Sequence, residues 1–382
     1  MMRLMRLTER QLNRTLLRRQ LLVEREPLGV VDAVRRLVGL QAQHAAAPYV
    51  ALWNRIADFD PAELDSAFAA HRVVKATLLR ITLHAVAADD RDVFHRAMVQ
   101  TLRAARLGDA RFSRTGLTSA DADAGVADLL TFLAEPRGNS EVDAFFAERF
   151  PDLPEPGVWW ALRSYAPLIH APGPHPWTYG PRPSYLAAPS PPPGAEALDA
   201  DTAMVELARR YLAAYGPATP ADLAQFSTLY RPPAKRAFAA LTDELVSYAG
   251  PDGKPVFDLA GAVVADEDTP VPPRLLGMWD NALLAHTDRC RLIPAEHRAT
   301  VIRRNGDVLP MLLVDGYVAG VWRPVERGIE ATAFRRLPPT TWDGLAAEAE
   351  DLRAMLADRE PFVFGRYGHW WKTIDGTQVK VL

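Results

Sequence analysis

Helical spacing that gives way to a short extended stretch recurs three times along this chain, and that recurrence limits the fold more than any other feature. In the first set Thr8 and Gln11 have the spacing of a capping box. Leu12, Leu16, Leu17, Leu21 and Leu22 follow at helical intervals. Pro27-Leu28-Gly29 breaks the chain, and Val31, Val34, Leu37 and Val38 share one face of a second helix beginning at Val30. Asp60-Pro61 opens a third, with Asp60 as cap and Pro61 in the first turn. Residues 72–88 then alternate as a strand or hairpin, through Val74, Ala76, Leu78, Arg80, Thr82 and His84. Helices closed by a two-stranded hairpin make a winged helix.

The second set predicts helices over 89–107, 121–133, 140–150 and 157–168, then a Pro-rich wing and linker over 172–193. The third predicts helices over 201–215, from Thr219-Pro220, and over 232–245, closed by strands at 245–248 and 256–259 around Pro251-Asp252-Gly253. These sets divide the chain into winged-helix units over 1–88, 89–195 and 196–261. From Ala262 the texture becomes β. Residues 300–304 and 308–314 flank Asn305-Gly306, which suits a tight hairpin turn. Strands at 317–322 and 329–334 and a helix over 342–358 complete a closing domain, 262–382, expected to be a small β-barrel or curled sheet. The fold class is α+β, mainly α.

A single cysteine, Cys290, excludes a disulfide framework and any zinc site of several thiolates, and points to a reducing, cytoplasmic setting. No apolar run approaches the roughly 20 residues of a membrane span. The N-terminal segment is basic and amphipathic and does not read as a secretory signal. The net charge of −3 conceals strong polarity. Residues 1–36 carry a balance of +5, while residues 118–155 carry −7, so a basic face is compatible with a mildly acidic total. GxxxxGK[ST], GxGxxG after a strand, GxSxG and HExxH are all missing, which disfavours P-loop, Rossmann, serine-hydrolase and zincin chemistry. The nine histidines lack metal-ligand spacing, so neither metal nor cofactor is expected.

One segment stands out: Gly39-Leu40-Gln41-Ala42-Gln43-His44, at the end of an apolar helix. Two residues apart, Gln41 and Gln43 diverge on a helix but share a side in extended chain. Converging amides supply donors and acceptors without charge. On pattern alone, two solvated amides at a helix end satisfy the same residues.

Several stretches in order resemble the AlkZ-like DNA glycosylases, a winged-helix family associated with bacterial resistance to DNA-alkylating antibiotics. They are Leu7-Thr8, Gln11 to Arg14 and Leu17 to Gln20; Gly39 to Gln43, Pro48-Tyr49 and Leu52-Trp53; Leu79-Arg80 and Thr82 to His84; Tyr215 to Thr219; Asp280-Asn281, Leu284, His286 and Asp288-Arg289; and Leu313 to Gly316, Ala319-Gly320 and Trp322. The resemblance implies three tandem winged helices and a β-barrel in a C shape. It places Gln41 and Gln43 on the family's catalytic Gln-x-Gln pair. A related branch is acidic at the second position, so Gln43 sets this chain nearer the antibiotic self-resistance branch.

A neutral amide is no general acid or base near pH 7. Such a pair suits a leaving group already activated: a purine alkylated on its imidazole-ring nitrogen is cationic and departs neutral. The expected partner is duplex DNA bearing alkylated purines, bulky antibiotic adducts included, and the expected product is an abasic site. Arg14, Arg18 and Arg19 are candidate phosphate contacts, and Arg303, Arg304 and Asn305 a candidate groove probe at the hairpin tip. Both sets also read as ordinary solvated surface. Lys75, Lys235, Lys254, Lys372 and Lys380 stand in no motif, so no covalent lysine intermediate is implied. One site in one chain works as a monomer, without a membrane or an obligate protein partner. Two alternatives remain open: a non-catalytic winged-helix regulator and a drug-binding resistance protein.

Overall fold

The structure is a computed structural model describing residues 4–153, 157–189 and 198–382. Helix prevails over strand, at 46% against 17%, in agreement with a mainly helical α+β chain. The first helix, Glu9–Arg19, opens with the capping box read from the sequence: Thr8 Oγ1 accepts from the Gln11 amide, and Gln11 Oε1 from the Thr8 amide, both at 3.0 Å. Helices Val30–Arg36, Ala47–Trp53 and Pro61–Ala69 follow, the last capped by Asp60 Oδ1 at 2.8 Å from the Ala62 amide. Three strands, β1 (Leu40–Gln41), β2 (Val73–Thr77) and β3 (Leu83–Ala87), form an antiparallel sheet in the order β1-β3-β2. The alternation expected across 72–88 breaks between β2 and β3. Leu79–Ile81 is a tight helical turn in which Arg80 and Ile81 both have φ of 56°, because the Arg80 guanidinium is drawn inward to buried acceptors described below. Strand β1 escapes sequence patterning because two residues carry no alternation.

Gly39 sets the entry to β1. Its φ is +82°, and a Cβ there would lie 2.6 Å from Val86 Cγ1 and 3.2 Å from the Ala85 carbonyl oxygen. Both the left-handed backbone and the crowding exclude a side chain. Gly39→Ala is expected to cost about 2 kcal/mol, read as a lower urea midpoint; an unchanged midpoint would show that β1 adapts.

The second set comprises Ala88–Leu107, Ala110–Ser113, Ser119–Phe132, Asn139–Arg149 and Val158–Leu162, with β4 (Arg137–Gly138), β5 (Leu168–His170) and β6 (Ser184–Ala187) in the order β4-β6-β5. The helix expected over 157–168 stops at Leu162, since Leu168, Ile169 and His170 pair with Ala187, Leu186 and Tyr185. The end of the expected linker, 190–193, lies outside the described residues. The third set has Ala200–Tyr215, Pro220–Ser227 and Arg231–Ala240, closed by the hairpin of β7 (Leu245–Ala249) and β8 (Pro255–Leu259). The buried Tyr211 and Tyr215 hydroxyls donate to the Ala285 and Leu37 carbonyls, each at 2.8 Å, tying this set to its neighbours.

The C-terminal part holds β9 (Arg274–Leu276), β10 (Met311–Val314), β11 (Tyr317–Val325), β12 (Gly328–Ala333) and β13 (Gln378–Val381) in the antiparallel order β13-β12-β11-β10-β9. The helix Pro339–Ala357 packs on this sheet. The hairpin expected from 300–304 and 308–314 is shorter. Arg298–Val301 is helical, which turns Val301 wholly into the core, and one bridge, Ile302 to Val308, joins the arms. The turn itself stands: Gly306 has φ +89° and the Arg303 amide donates to the Asp307 carbonyl at 2.8 Å.

A buried ion pair fastens distant parts of the chain. Arg55 makes a two-pronged pair with Asp280, both bonds 2.8 Å, and also bonds the Gln20 and Ala51 carbonyls. Asp280 in turn caps the helix Asn281–Leu284. A fully hydrogen-bonded buried pair of this kind fixes geometry more than it adds net stability.

Candidate active site

Gln41 sits on β1 opposite His84 of β3, nearly inaccessible to solvent at 6% exposure. Arg80, from the left-handed turn, gathers its neighbours. Its Nη2 lies 2.9 Å from Gln41 Oε1, 3.0 Å from His84 Nε2 and 3.0 Å from Asn281 Oδ1, and its Nη1 donates to the Phe226 carbonyl at 3.1 Å. Two Nη2 hydrogens thus serve three acceptors. The guanidinium carbon also stands 5.2 Å from the centre of the Phe226 ring, a favourable cation–π distance. Asn281 Nδ2 donates to the Gly39 carbonyl at 2.6 Å, closing the network back onto β1.

Because arginine only donates, it dictates the state of each partner. Gln41 must present its oxygen to Arg80, so its Nε2 is the free end. His84 must be neutral with Nε2 bare, and its Nδ1 then donates to the Thr82 carbonyl at 3.1 Å. Burial, reinforced by the Arg80 charge, holds the His84 imidazole well below its ordinary range. Burial also pulls Arg80 down to about 10, which leaves it charged at neutral pH. Among the described residues no carboxylate joins this network.

Gln43 is different. Ala42 between the two glutamines is turned into the core, its amide bonded to the Leu83 carbonyl at 2.7 Å. Gln43 is exposed, and its Oε1 has one long contact, 3.5 Å from the Leu83 amide. The pair therefore joins a locked amide to a free one. Gln43 also borders an open groove of about 530 Å3 whose lining includes Lys75, Trp177 and Tyr179.

The N-terminal arginines do not form one exposed face. Arg14 is wholly buried, paired with the Asp315 carboxylate and bonded to the Asp315 carbonyl at 2.9 Å and to Asn13 Oδ1 at 2.6 Å. Arg19 is held by Asp258 at 2.7 and 2.8 Å and by the Leu212 carbonyl at 3.0 Å. The side of Glu9–Arg19 that carries them packs under the Asp315-Gly316 turn and against Ala200–Tyr215, so the expectation of phosphate contact fails for Arg14 and is displaced for Arg19. Arg18 alone of the three is exposed.

At the short hairpin, Arg304 and Asn305 are exposed, with Asn305 Nδ2 donating to Asp307 Oδ2 at 2.9 Å. Arg303 is half-buried 4.9 Å over the Trp370 ring, and Trp370 Nε1 donates to Asp307 Oδ2 at 2.9 Å. A C-terminal turn segment, Gly365–Thr373, thus braces the tip.

Sequence reasoning missed Arg80 and Asn281 as site residues, although both stand in stretches that carried the family resemblance, Leu79-Arg80 and Asp280-Asn281. Among the described residues no group of three or more His, Cys, Asp or Glu is placed to hold a metal ion. No described helix is long and apolar enough to cross a membrane.

The sequence pattern of the family described as DNA glycosylase AlkZ-like matches residues 34–355. An interstrand DNA cross-link repair glycosylase of Streptomyces sahachiroi is 33% identical over 149 residues, covering 36% of this chain. That match spans only 39% of the relative's own length. The solved structure of the Streptomyces sahachiroi DNA glycosylase AlkZ is similar with a TM-score of 0.76 at 24% identity, over 91% of this chain and 96% of that one; this likeness establishes the fold.

Proposed function

The chain belongs to the AlkZ-like DNA glycosylase family, and from that premise we propose that it hydrolyses the N-glycosidic bond of cationic, ring-nitrogen-alkylated purines in duplex DNA, bulky antibiotic adducts included, leaving an abasic site. The observation that carries this reading is the uncharged Gln pair: one amide oriented by Arg80, the other free, with no carboxylate in their network among the described residues. The two amides offer no acid to protonate a purine and need none if the leaving base is already a cation. The cross-link repair named for the Streptomyces relative supports bulky adducts as substrates.

In this proposal Gln43 Oε1, the free acceptor, takes one O–H of a water and turns the water oxygen toward C1′ of the sugar. Gln41, locked by Arg80, lines the sugar. As the C1′–N9 bond breaks, its electron pair neutralises the cationic purine. The water oxygen bonds to C1′, and the surplus proton leaves to solvent. Positioning and oriented dipoles supply the rate, with no covalent intermediate. Residues 1–88, 89–195 and 196–261 serve as tandem winged helices and 262–382 as a small barrel, curved as a C around the duplex. Arg18, Arg304 and Asn305, the exposed members of the arginine and hairpin sets, contact the DNA, and a single chain suffices in the cytoplasm.

The test is duplex DNA carrying alkylated guanine, with either a methyl or a bulky adduct, incubated with protein and then alkali. Alkali-dependent breaks are expected with the native chain and not with a Gln41→Ala, Gln43→Ala double variant. Binding without base release on either adduct would refute the assignment. Arg80→Met tests the orienting role. It frees Gln41 Oε1 to rotate and is expected to slow release about 10- to 100-fold, measured in single turnover. Native rates in that variant would show that Gln41 needs no anchor.

A further inference from the structure

The groove beside Gln43 contains a group that the chemistry above does not use. Lys75 stands on β2 with 6% exposure, and its ammonium lies 4.8 Å over the Tyr179 ring. Among the described residues it has no carboxylate partner and no side-chain hydrogen bond; burial alone shifts it, down to about 8. A cation–π contact is worth up to about 2 kcal/mol, less than the several kcal/mol that burying an ion costs. The ammonium is therefore short of a counter-charge.

Among the described residues the groove lining holds one carboxylate, Glu360, and it makes no ion pair with Lys75. Glu360 at the groove wall takes the Trp177 indole N–H at 2.6 Å, and Asp65 is occupied by Arg359, Tyr49 and Thr178. The rim adds Arg182 and Arg366, both exposed and without an ion-pair partner among the described residues. The positive field reaches two imidazoles: after burial itself, the Arg366 and then the Lys75 charge lower the half-buried His44, and the Lys75 charge lowers the buried His170.

We propose that this groove is a seat for one phosphodiester of the lesion-bearing strand, with Lys75 at its floor and Arg182 and Arg366 at its rim. The proposal rests on the DNA reading above. It commits to an anion because a cationic purine would be repelled by these charges, whereas a phosphate completes them. Gln43 borders the same groove, so a phosphate seated there is tethered by a few bonds to the sugar that Gln43 addresses. Seating it would fix the reacting sugar without any contact to the base, which suits a site that must accept adducts of different bulk.

The probe is a duplex with one tetrahydrofuran abasic analogue, titrated by fluorescence anisotropy at several salt concentrations. Removing one phosphate contact lowers the slope of log K against log salt by about one. That loss is expected for Lys75→Met, while Lys75→Arg keeps the native slope. An unchanged slope in a folded Lys75→Met protein overturns the proposal. Should Lys75→Met not fold, Arg182→Gln, an exposed change, carries the same expectation and the same refutation. Reductive methylation followed by mass spectrometry gives a second reading. Lys75 is expected to be protected by the duplex and not by inorganic phosphate; equal protection by both would make this a free-anion site and overturn the strand assignment. Excision of alkylated guanine is scored separately. Excision with an unchanged slope removes only the phosphate seat, and a reduced slope without any excision removes only the glycosylase reading.

Discussion

Gln43→Ala is expected to slow release of an alkylated purine about 100- to 1,000-fold, the range seen when one pre-positioned polar group is lost from a transition-state site. Stability should not follow. Gln43 is exposed and makes one contact, at 3.5 Å, and surface changes of that kind stay within about 0.5 kcal/mol. Rate and melting temperature therefore separate in this variant. They separate less cleanly for Gln41, which is buried, so that its truncation removes one of the Arg80 acceptors and leaves a cavity. Gln43→Glu sharpens the point. It returns an acceptor for the water, so release should recover, now falling at acidic pH as the carboxylate protonates. Single-turnover release at saturating enzyme reads both. A native rate in Gln43→Ala would remove Gln43 from the chemistry and leave Gln41 and the Arg80 network as the whole site.

What the sequence disclosed follows the range of the interactions involved. The capping box at Thr8 and the cap-then-Pro start at Thr219 were legible because cap and partner are at most three residues apart. The Gln41-Ala42-Gln43 spacing stood out on its own, but β1 ends at Gln41, and the two amides differ in that Gln41 is buried and Gln43 exposed. Arg80 was read as one more residue of an alternating strand. Its left-handed turn depends on acceptors from Gln41, Phe226 and Asn281, far away in the chain. Arg14 and Arg19 were read as candidate phosphate contacts for the same reason: the carboxylates that claim them, Asp315 and Asp258, lie hundreds of residues on. The hairpin was overdrawn because burial of Val301 outweighs the extended preference around it. Lys75 had no motif, and only folding brings it to the groove that Gln43 borders. Local patterns were thus readable and long-range charge pairing was not, which is why the glutamines stood out in the sequence and the arginine bonded to Gln41 did not.

Below about pH 6.5 the fold should lose stability before any carboxylate titrates. His84, His95 and His170 are buried, and burial, with nearby arginine or lysine charge behind it, lowers all three, His95 to about 4. His286 is lowered for the same first cause. Unfolded imidazoles protonate near pH 6.5. Between that value and the lower folded values the unfolded chain binds protons that the folded chain refuses. The stabilisation is thus complete above pH 6.5 and is lost as the pH falls. From pH 7 to 5.5 each such group forfeits on the order of 1 kcal/mol, so the first three together forfeit a few kcal/mol, a sizeable part of the roughly 5–15 kcal/mol that holds a domain folded. Urea midpoints followed by circular dichroism at pH 7.0, 6.0 and 5.5 measure this directly. A flat profile would mean that these imidazoles take up protons in the folded state. The site shows why His84 at least cannot: its Nε2 accepts from Arg80, and a proton there would set two donors against each other 3.0 Å apart. Acid inactivation should accordingly track unfolding of the chain and not a separate titration of the Gln pair, whose amides carry no charge to lose.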